Sequence, residues 1–277
     1  MSHKKGIPSY PDIKDIFLDE QKAKLFLVEK GVLQMQIQCP KCHFLNIWNM
    51  HNKSIQCTRK NCRQSYSVLE GTFFQNCKLK INTVLFLAYN WLLRVPVTSA
   101  TNLCGVSDQK ACEYYAYFGN LVADLIADHH DKIGGPGIIV EIDESKFGSR
   151  KHYRGHRVEG VWVVGGVERT PAKRMFAVSV EDRSTETMKS IIRNNIEDGT
   201  IIYSDYWMSY DKAIEEINFE FFSGLGHEKV NHSEGFVSPD GICTNTIEGT
   251  WNGTKCTMSS RQKTKEKCPL HVMTFIW

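Results

Sequence analysis

The chain has 277 residues, of which 42% are hydrophobic, so it is long and apolar enough to form about two globular domains with buried cores. Its formal net charge of +3 is too small to identify a polyanionic partner on its own. No apolar run is long enough for a membrane helix, and the first ten residues lack the apolar core of a signal peptide. These features argue against a membrane or secreted protein, and we expect an intracellular one, in the nucleus of a eukaryote or otherwise in the cytoplasm (nucleoid).

Residues 1–37 are expected to form an N-terminal helical segment, and two close pairs of cysteines follow it, separated by fourteen residues. The four cysteines are Cys39, Cys42, Cys57 and Cys62. This spacing is typical of a structural zinc site in which four thiolates complete a tetrahedral coordination sphere. Disulfides fit less well, because the other six cysteines show no framework spacing and no secretory signal is present. We therefore predict a zinc ribbon over residues 38–67 with a structural Zn²⁺.

Residues 78–132 are predicted to be helical. An apolar segment in this region is too short to span a bilayer and is expected to be a buried helix. Two further helices are predicted after it, with a turn at Gly105 and with Ser107 placed to cap the second helix. This layout suits a helix-turn-helix, whose second helix would present Asp108, Gln109 and Lys110 to base edges in the major groove. An ordinary helical hairpin fits the same residues, and the sequence alone does not separate the two.

The stretch 131–137, with three glycines and a proline, is the expected boundary before a second domain over residues 137–277. Strands are predicted at 137–143, 160–166, 175–180 and 200–205, and helices at 184–196 and 206–217. The strand segments are rich in β-branched residues, and the helical segments have apolar residues at helical spacing. This alternation predicts an α/β fold with a mixed sheet.

Three acidic residues lie where these elements would bring them together. Asp143 is expected at the open end of its strand, Asp205 at a strand-to-helix junction, and Glu248 on one helical face with Trp251 and Lys255. Mg²⁺ prefers hard oxygen ligands and is typically held by one or two carboxylates plus substrate phosphate. Two such ions can stabilise both the attacking and the leaving oxygen of a phosphodiester displacement. The three acids therefore predict a site for Mg²⁺ (or Mn²⁺) and nucleic-acid cleavage.

The residues alone also allow a simpler interpretation. A single Asp at a strand end is more often a turn former or a helix cap than a metal ligand. Glu141 and Glu144 compete with Asp143 for the first position, because Glu141 shares its face of the strand and Glu144 follows it directly.

Four segments resemble, in the same order, the ISXO2-like (IS1595/IS1016) transposases and their eukaryotic Merlin relatives. They are Ile142–Phe147, Tyr203–Tyr210, His227–His232 and Asn245–Trp251. The resemblance implies an RNase H-like catalytic domain, and it assigns the family's catalytic Asp, Asp and Glu to Asp143, Asp205 and Glu248. Asn231 and His232 lie in the matching His-x-x-x-Asn-His segment and could orient a scissile phosphate or stabilise a loop.

The implied activity is that of a DNA transposase that binds the terminal inverted repeats of its element, cleaves DNA and joins the ends to target DNA. The implied partner is double-stranded DNA, and the pairing of two ends implies a homodimer or a higher multimer. Two other functions stay open: a catalytically inactive or domesticated DNA-binding protein, and an RNase H-like nuclease. Relatives usually continue through further helical sequence after Glu248, so the chain is also interpreted as a truncated copy, in which intact acids do not guarantee activity.

Basic residues cluster on both sides of the predicted acids. Residues 146–174 carry eight Lys or Arg against two acids, and residues 251–277 carry five against one. The cysteine-rich segment 39–64 has five basic residues and no acid. Such clusters attract a polyanion, although each also suits a solvated surface. The predicted DNA contacts beside the acids are Lys146, Arg150, Lys151, Arg154, Arg157 and Lys255.

Overall fold

The computed structural model describes residues 6–128, 131–148, 160–205, 207–230, 243–258 and 262–276. The chain divides into two compact units, Met1–Phe118 and Gly119–Trp277. Among the described residues, no helix is both long and apolar enough to cross a membrane.

The first unit starts with two helices, α1 (Tyr10–Leu18) and α2 (Glu20–Glu29). The carboxylate of Asp19 caps α2 by accepting two backbone N–H groups of its first turn. Two antiparallel hairpins follow, made of β1 (Gln36–Gln38) with β2 (Leu45–Ile47) and β3 (Ser54–Gln56) with β4 (Ser65–Ser67). Asn46 joins them, because its amide donates to the Tyr66 hydroxyl (2.9 Å) and its carbonyl accepts from the Thr58 backbone (2.9 Å).

Three helices follow the hairpins: α3 (Ile81–Leu92), α4 (Val97–Cys104) and α5 (Asp108–Asp128). Gly105 ends α4 in the left-handed conformation (φ 65°), which glycine adopts without a steric penalty. The hydroxyl of Ser107 accepts the backbone N–H of Lys110 at 3.3 Å and so caps α5, as predicted. The two predicted helices and the turn between them are therefore present, and their assignment as a DNA-binding helix-turn-helix stays a prediction.

The second unit is built on a five-stranded mixed sheet. The strands described in this unit, including two outside the main sheet, are β5 (Ile133–Gly134), β6 (Ile139–Phe147), β7 (Val161–Glu168), β8 (Met175–Val180), β9 (Ile196–Glu197), β10 (Ile201–Asp205) and β11 (Gly226–Val230). The order across the main sheet is β11-β10-β6-β7-β8, in which β11, β10 and β6 are parallel and β7 is antiparallel to both its neighbours. β5 and β9 form a separate, short parallel ladder. This mixed α/β architecture was predicted and is compatible with an RNase H-like domain.

Helices cover both faces of this sheet. They are α6 (Thr185–Asn195), α7 (Met208–Phe221), α8 (Asn245–Thr257) and α9 (Cys268–Ile276). On one face Ile142 of β6 lies in a buried cluster with residues of α6 and α7, such as Ile192 and Ile214. On the other face Phe147 of β6 lies in a cluster with residues of α8 and α9, such as Trp251. The alternation of side chains along β6 thus separates two cores.

The strand that contains Asp143 is longer than predicted. We expected Asp143 at its open end, but β6 continues to Phe147. The difference arises from β7, which continues the antiparallel ladder as far as Phe147 opposite Val161. On its other side, β6 pairs with β10 only as far as Glu141. Asp143 therefore lies just beyond the end of the parallel ladder, in the middle of a longer strand.

Candidate active site

Three carboxylates lie close together where the parallel ladder ends. Tyr203 of β10 pairs with Glu141 of β6, so continuing this register by two residues places Asp205 opposite Asp143. One carboxylate oxygen from each of Asp143, Glu144 and Asp205 lies within 4.8 Å of the others. All three side chains are half-buried. A group of hard oxygen donors at this spacing fits a divalent cation such as Mg²⁺ or Mn²⁺.

Glu248, the third predicted acid, lies on α8 as expected but is not a member of that close group of three. It is half-buried, and its carboxylate accepts a hydrogen bond from the Thr244 hydroxyl at 3.3 Å. One helical turn farther, the indole N–H of Trp251 donates to the Asp143 carboxylate at 3.1 Å. The charge of Glu248 also contributes to raising the pKa of Asp143. The helix face that carries Glu248 and Trp251 is therefore turned toward Asp143.

A glycine on the neighbouring strand makes room for this indole. Gly165 of β7 pairs with Asp143. A Cβ atom at Gly165 would lie 2.6 Å from Cη2 of Trp251 and 2.9 Å from the backbone oxygen of Phe176. Any side chain at this position would displace the indole ring, so the glycine is required for the contact between Trp251 and Asp143.

Burial and neighbouring charges raise the pKa of Asp143 to about 7. Burial is the largest cause and the charge of Glu144 is the next, with smaller contributions from Asp205 and Glu248. Burial also raises the pKa of Glu144, although Tyr210 and Arg183 stabilise its charged form. Because confined like charges oppose one another's ionisation, a cation bound among these carboxylates would favour their charged forms.

The two acids that compete with Asp143 for the first position have different environments. Glu144 belongs to the close group, where it accepts hydrogen bonds from the Tyr210 hydroxyl (2.8 Å) and from Nη1 of Arg183 (3.0 Å). Glu141 is fully buried and is bound by Arg169 and by the start of α8. Both acids were predicted as competitors of Asp143. The sequence does not show which of them belongs to the acidic group, because their partners lie far along the chain.

Arg183, which sequence reasoning missed, lies between two indole rings beside the acidic group. Its guanidinium carbon is 3.8 Å from the centroid of the Trp162 ring and 5.0 Å from that of Trp207. Nζ of Lys146 lies 5.4 Å from the Trp162 ring. Cation–π contacts of this kind hold a basic group in place while part of it stays accessible. Arg183 and Lys146 thus place positive charge next to Glu144. No local sequence motif predicts that Arg183 lies at this site.

A half-buried histidine supports the end of β10. Nε2 of His227 is hydrogen-bonded to the hydroxyl of Ser204 at 2.8 Å, and Nδ1 lies 3.0 Å from the carboxylate of Asp211. Nζ of Lys229 lies 3.0 Å from the other oxygen of Asp211. Burial lowers the pKa of His227, which favours the neutral imidazole. This network connects β10, β11 and α7 at the residue that precedes Asp205.

The residues predicted to contact DNA are described only in part. Lys146 is exposed, and Lys255 is half-buried with Nζ 5.5 Å from the Phe147 ring, where burial lowers its pKa. In the first turn of α5, Gln109 is exposed and Lys110 forms an ion pair with Glu113 at 2.6 Å. The remaining predicted residues lie outside the described part of the chain; they are Arg150, Lys151, Arg154, Arg157, Asn231 and His232. Their roles stay predictions.

Four cysteine sulfurs converge in the first unit. Sγ of Cys39 lies 3.7 Å from that of Cys62, and Sγ of Cys42 lies 3.6 Å from that of Cys57. All four sulfurs lie within 4.8 Å of one another. A tetrahedron with Zn–S bonds of about 2.3 Å places its sulfurs about 3.8 Å apart, whereas a disulfide needs about 2.05 Å. The cluster therefore fits a closed, four-thiolate zinc site.

The backbone around these cysteines stabilises thiolates. The backbone N–H of Phe44 is hydrogen-bonded to the sulfur of Cys42 and is the largest of the contacts that lower the pKa of Cys42 to about 7. At Cys62, the backbone hydrogen bond from Gln64 is outweighed by burial and the neighbouring sulfurs, which raise the pKa to about 11. The residue after the second cysteine of each pair, His43 (φ 56°) or Arg63 (φ 51°), adopts the left-handed conformation and turns the chain sharply. Nδ2 of Asn46 adds a contact of 3.8 Å to Sγ of Cys57. The two cysteine pairs thus share the same left-handed turn after their second cysteine.

Comparison with protein families gives one match in the second unit. Residues 133–264, which include Asp143, Asp205 and Glu248, match the family described as the ISXO2-like transposase domain. The matched region contains β5 to β11 and α6 to α8, and it excludes the cysteine cluster. No curated protein matches the chain.

Removal of one cysteine ligand tests the zinc assignment. We expect about one zinc per chain in the wild type, and loss of this zinc together with unfolding of the hairpins in Cys57→Ser, because structural zinc contributes on the order of 10 kcal/mol to the folding of small modules. Elemental analysis and thermal melting measure both effects. The control is Cys256→Ser, at an exposed cysteine of α8 outside the cluster. Wild-type protein without zinc would contradict the assignment.

The raised pKa of Asp143 predicts how pH affects the protein without added divalent cations. The pKa is about 7 in the folded chain and about 3.9 in the unfolded chain, so the folded state binds the proton more tightly between these values. This contribution to stability falls as pH rises from about 4 to about 7 and then stays constant. Asp143→Asn should therefore melt above the wild type at about pH 8, by about 2–4 °C per kcal/mol of relieved repulsion.

Thermal melts over this pH range measure the difference between the two proteins. The control is Asp198→Asn, which removes an exposed acid paired with Arg193. If Asp143→Asn and the wild type show the same pH dependence, the pKa of Asp143 is not raised.

Proposed function

Residues 133–264 of this chain are a domain of the ISXO2-like transposase family, and from this premise we propose that the protein is a DNA transposase that cleaves the ends of its element and joins them to target DNA. The observation that carries the proposal is the meeting of Asp143 and Asp205 beside a helix whose face presents Glu248. The strand order β11-β10-β6-β7-β8 supports an RNase H-like domain, because it places the first Asp on the central strand and the second on its parallel neighbour.

The carboxylates fit the metal requirement of this chemistry. Asp143 and Asp205 would hold divalent cations between them, and Glu248 would complete the binding of a second cation from the helix. When bound, Mg²⁺ or Mn²⁺ would stabilise the attacking and the leaving oxygen of an in-line displacement at phosphorus. The raised pKa of Asp143 supports this assignment, because a carboxyl that is costly to ionise alone is one whose charged form gains from a cation.

Other residues of the chain orient the acids of this site, including Glu144 beside the proposed ligands. Trp251 donates to one oxygen of Asp143 and so fixes the rotation of this carboxylate. Tyr210 of α7 and Arg183, which precedes α6, hold Glu144, and the positive charge of Arg183 offsets part of the negative charge of the site. Ligands that are fixed in this way lose less conformational entropy when a cation binds.

DNA would approach the acids along basic side chains. Lys146 and Arg183 lie beside Glu144, and Lys255 lies close enough to Asp143 for the two charges to interact. Their charges favour phosphate groups that the carboxylates alone would repel. In the first unit, Gln109 and Lys110 at the start of α5 would contact the terminal inverted repeats, and the zinc ribbon would add phosphate contacts. Because two DNA ends must be paired, we propose that the protein acts as a homodimer or a higher multimer.

Neutralising one aspartate tests the proposed chemistry. Asp205→Asn keeps the size of the side chain but removes its charge, so it should reduce Mg²⁺- or Mn²⁺-dependent cleavage of element-end DNA by more than about 100-fold. Binding of the same DNA should stay within about threefold of wild type, because the variant leaves the basic residues intact. Gel-based cleavage and fluorescence anisotropy measure the two effects.

Asp198→Asn is the control, since Asp198 precedes the same strand in an exposed turn and should be dispensable. Retained cleavage in Asp205→Asn would refute the assignment of the acids. Wild-type protein that binds the DNA without cutting it would indicate an inactive or domesticated DNA-binding protein, and cleavage of RNA in RNA–DNA hybrids only would indicate an RNase H-like nuclease.

A further inference from the structure

One buried acid of β6 is not part of the acidic group and yet contacts the helix that carries Glu248. Glu141 is fully buried. Its Oε2 accepts the backbone N–H groups of Thr246 (2.8 Å) and Ile247 (3.0 Å), and its Oε1 accepts Nε–H of Arg169 at 2.6 Å. Because a buried carboxylate is stable only when its oxygens are paired, this set of partners accounts for its charge.

The first turn of α8 depends on this acid. The residue at the N-cap position, Thr244, makes no capping hydrogen bond with its side chain. The N–H groups at the start of a helix need an acceptor, and a negative charge there also interacts favourably with the helix dipole. Glu141 supplies both from a strand more than one hundred residues earlier in the sequence. The helix is therefore capped by the sheet rather than by its own preceding residue.

Arg169 extends the attachment to the segment that enters the helix. Its Nη2 donates to the backbone oxygen of Cys243 at 2.9 Å, while its Nε binds Glu141. The guanidinium carbon lies 5.0 Å from the ring centroid of Tyr203 on β10. Arg169 thus joins β6, β10 and the start of α8, and its partner Glu141 carries the compensating charge.

We propose that Glu141, held by Arg169, is the positioning residue that fixes the first turn of α8 on the sheet and thereby sets the distance from Glu248 to Asp143 and Asp205. Glu248 follows the two capped N–H groups directly, so movement of this turn moves its carboxylate. Trp251, one turn later, holds the same helix to Asp143. The catalytic meaning of this attachment rests on the proposed function; the attachment itself does not.

A matched control exists on the neighbouring strand. Glu168 of β7 is also buried, is also paired with an arginine (Arg174 Nη2, 2.7 Å), and also accepts a backbone N–H, that of Gly134. None of its described partners belongs to α8. Replacing Glu168 by Gln therefore removes a buried, arginine-paired charge from the same sheet without touching the helix that carries Glu248.

The test compares Glu141→Gln with Glu168→Gln. A glutamine has one acceptor oxygen and one donor amide, so at position 141 it cannot accept from both α8 and Arg169. In metal-free protein, hydrogen exchange of the peptide covering 245–257 should be about 2- to 30-fold faster in Glu141→Gln than in the wild type, as expected for a lost helix cap. Cleavage of element-end DNA should fall by about 10- to 100-fold, with a higher Mg²⁺ concentration at half-maximal rate.

Glu168→Gln should leave the hydrogen exchange of 245–257 and the cleavage of element-end DNA within about twofold of wild type. This holds even if Glu168→Gln lowers the melting temperature as much as Glu141→Gln does.

If Glu141→Gln does not fold, Glu141→Asp takes its place, with Glu168→Asp as control, because the shorter acid keeps the charge but cannot reach both partners. Unchanged exchange in α8 would overturn the proposal, and so would cleavage equal to that of the control. If the wild type itself does not cleave, the proposed function fails, and the exchange measurement alone decides whether Glu141 holds the helix.

Discussion

Carboxylates held close together repel one another, and the fold of the second unit holds three of them close together. Asp143, Glu144 and Asp205 are half-buried and lie within 4.8 Å of one another at their nearest oxygens. Burial raises the pKa of Asp143 to about 7, and the charges of Glu144, Asp205 and Glu248 add to this shift, because the ionisation of each group opposes that of its neighbours. A cation bound among these carboxylates would offset their repulsion and so stabilise the folded state. The clustered charge is therefore what connects the fold to the proposed metal-dependent chemistry.

The scaffold keeps these groups together by fixing them from two sides. On one face of the sheet, Tyr210 and Arg183 bind Glu144. On the other face, Trp251 binds Asp143 from α8. Because neighbouring residues of a strand point to opposite faces, Asp143 and Glu144 can be adjacent in sequence and still be held by different helices. The site thus uses both cores of the domain, and a change in either core would alter its geometry.

The sequence predicted the parts of this arrangement that depend on local patterns. The strand that ends at Asp205 and the helix face shared by Glu248 and Trp251 are confirmed, because strand and helix periodicities are visible over a few residues. The convergence of the four cysteines was predictable for the same reason, since their spacing is local. Local patterns also predicted a mixed sheet, but not which strands would be neighbours.

Features that depend on distant partners were missed or only partly predicted. The length of β6 is set by its pairing with β7, so Asp143 proved to be inside a strand rather than at its end. Glu144 could be named only as a competitor, since its partners Tyr210 and Arg183 are separated from it in sequence. The role of Glu141 depends on a helix more than one hundred residues away. Periodicity gives the face on which such side chains lie, but their partners follow only from the fold.

We propose that the acids of β6, β10 and α8 bind divalent cations in the geometry seen here. The most direct test of this proposal is a crystal structure of the wild-type chain soaked in millimolar Mn²⁺, with anomalous difference maps to locate the ions. We expect an anomalous peak at an ion bound by both Asp143 and Asp205, with Glu248 on the same ion or on a second ion about 3.5–4 Å away. The absence of a peak at these residues, or an ion bound by Glu144 without Asp143 and Asp205, would contradict it.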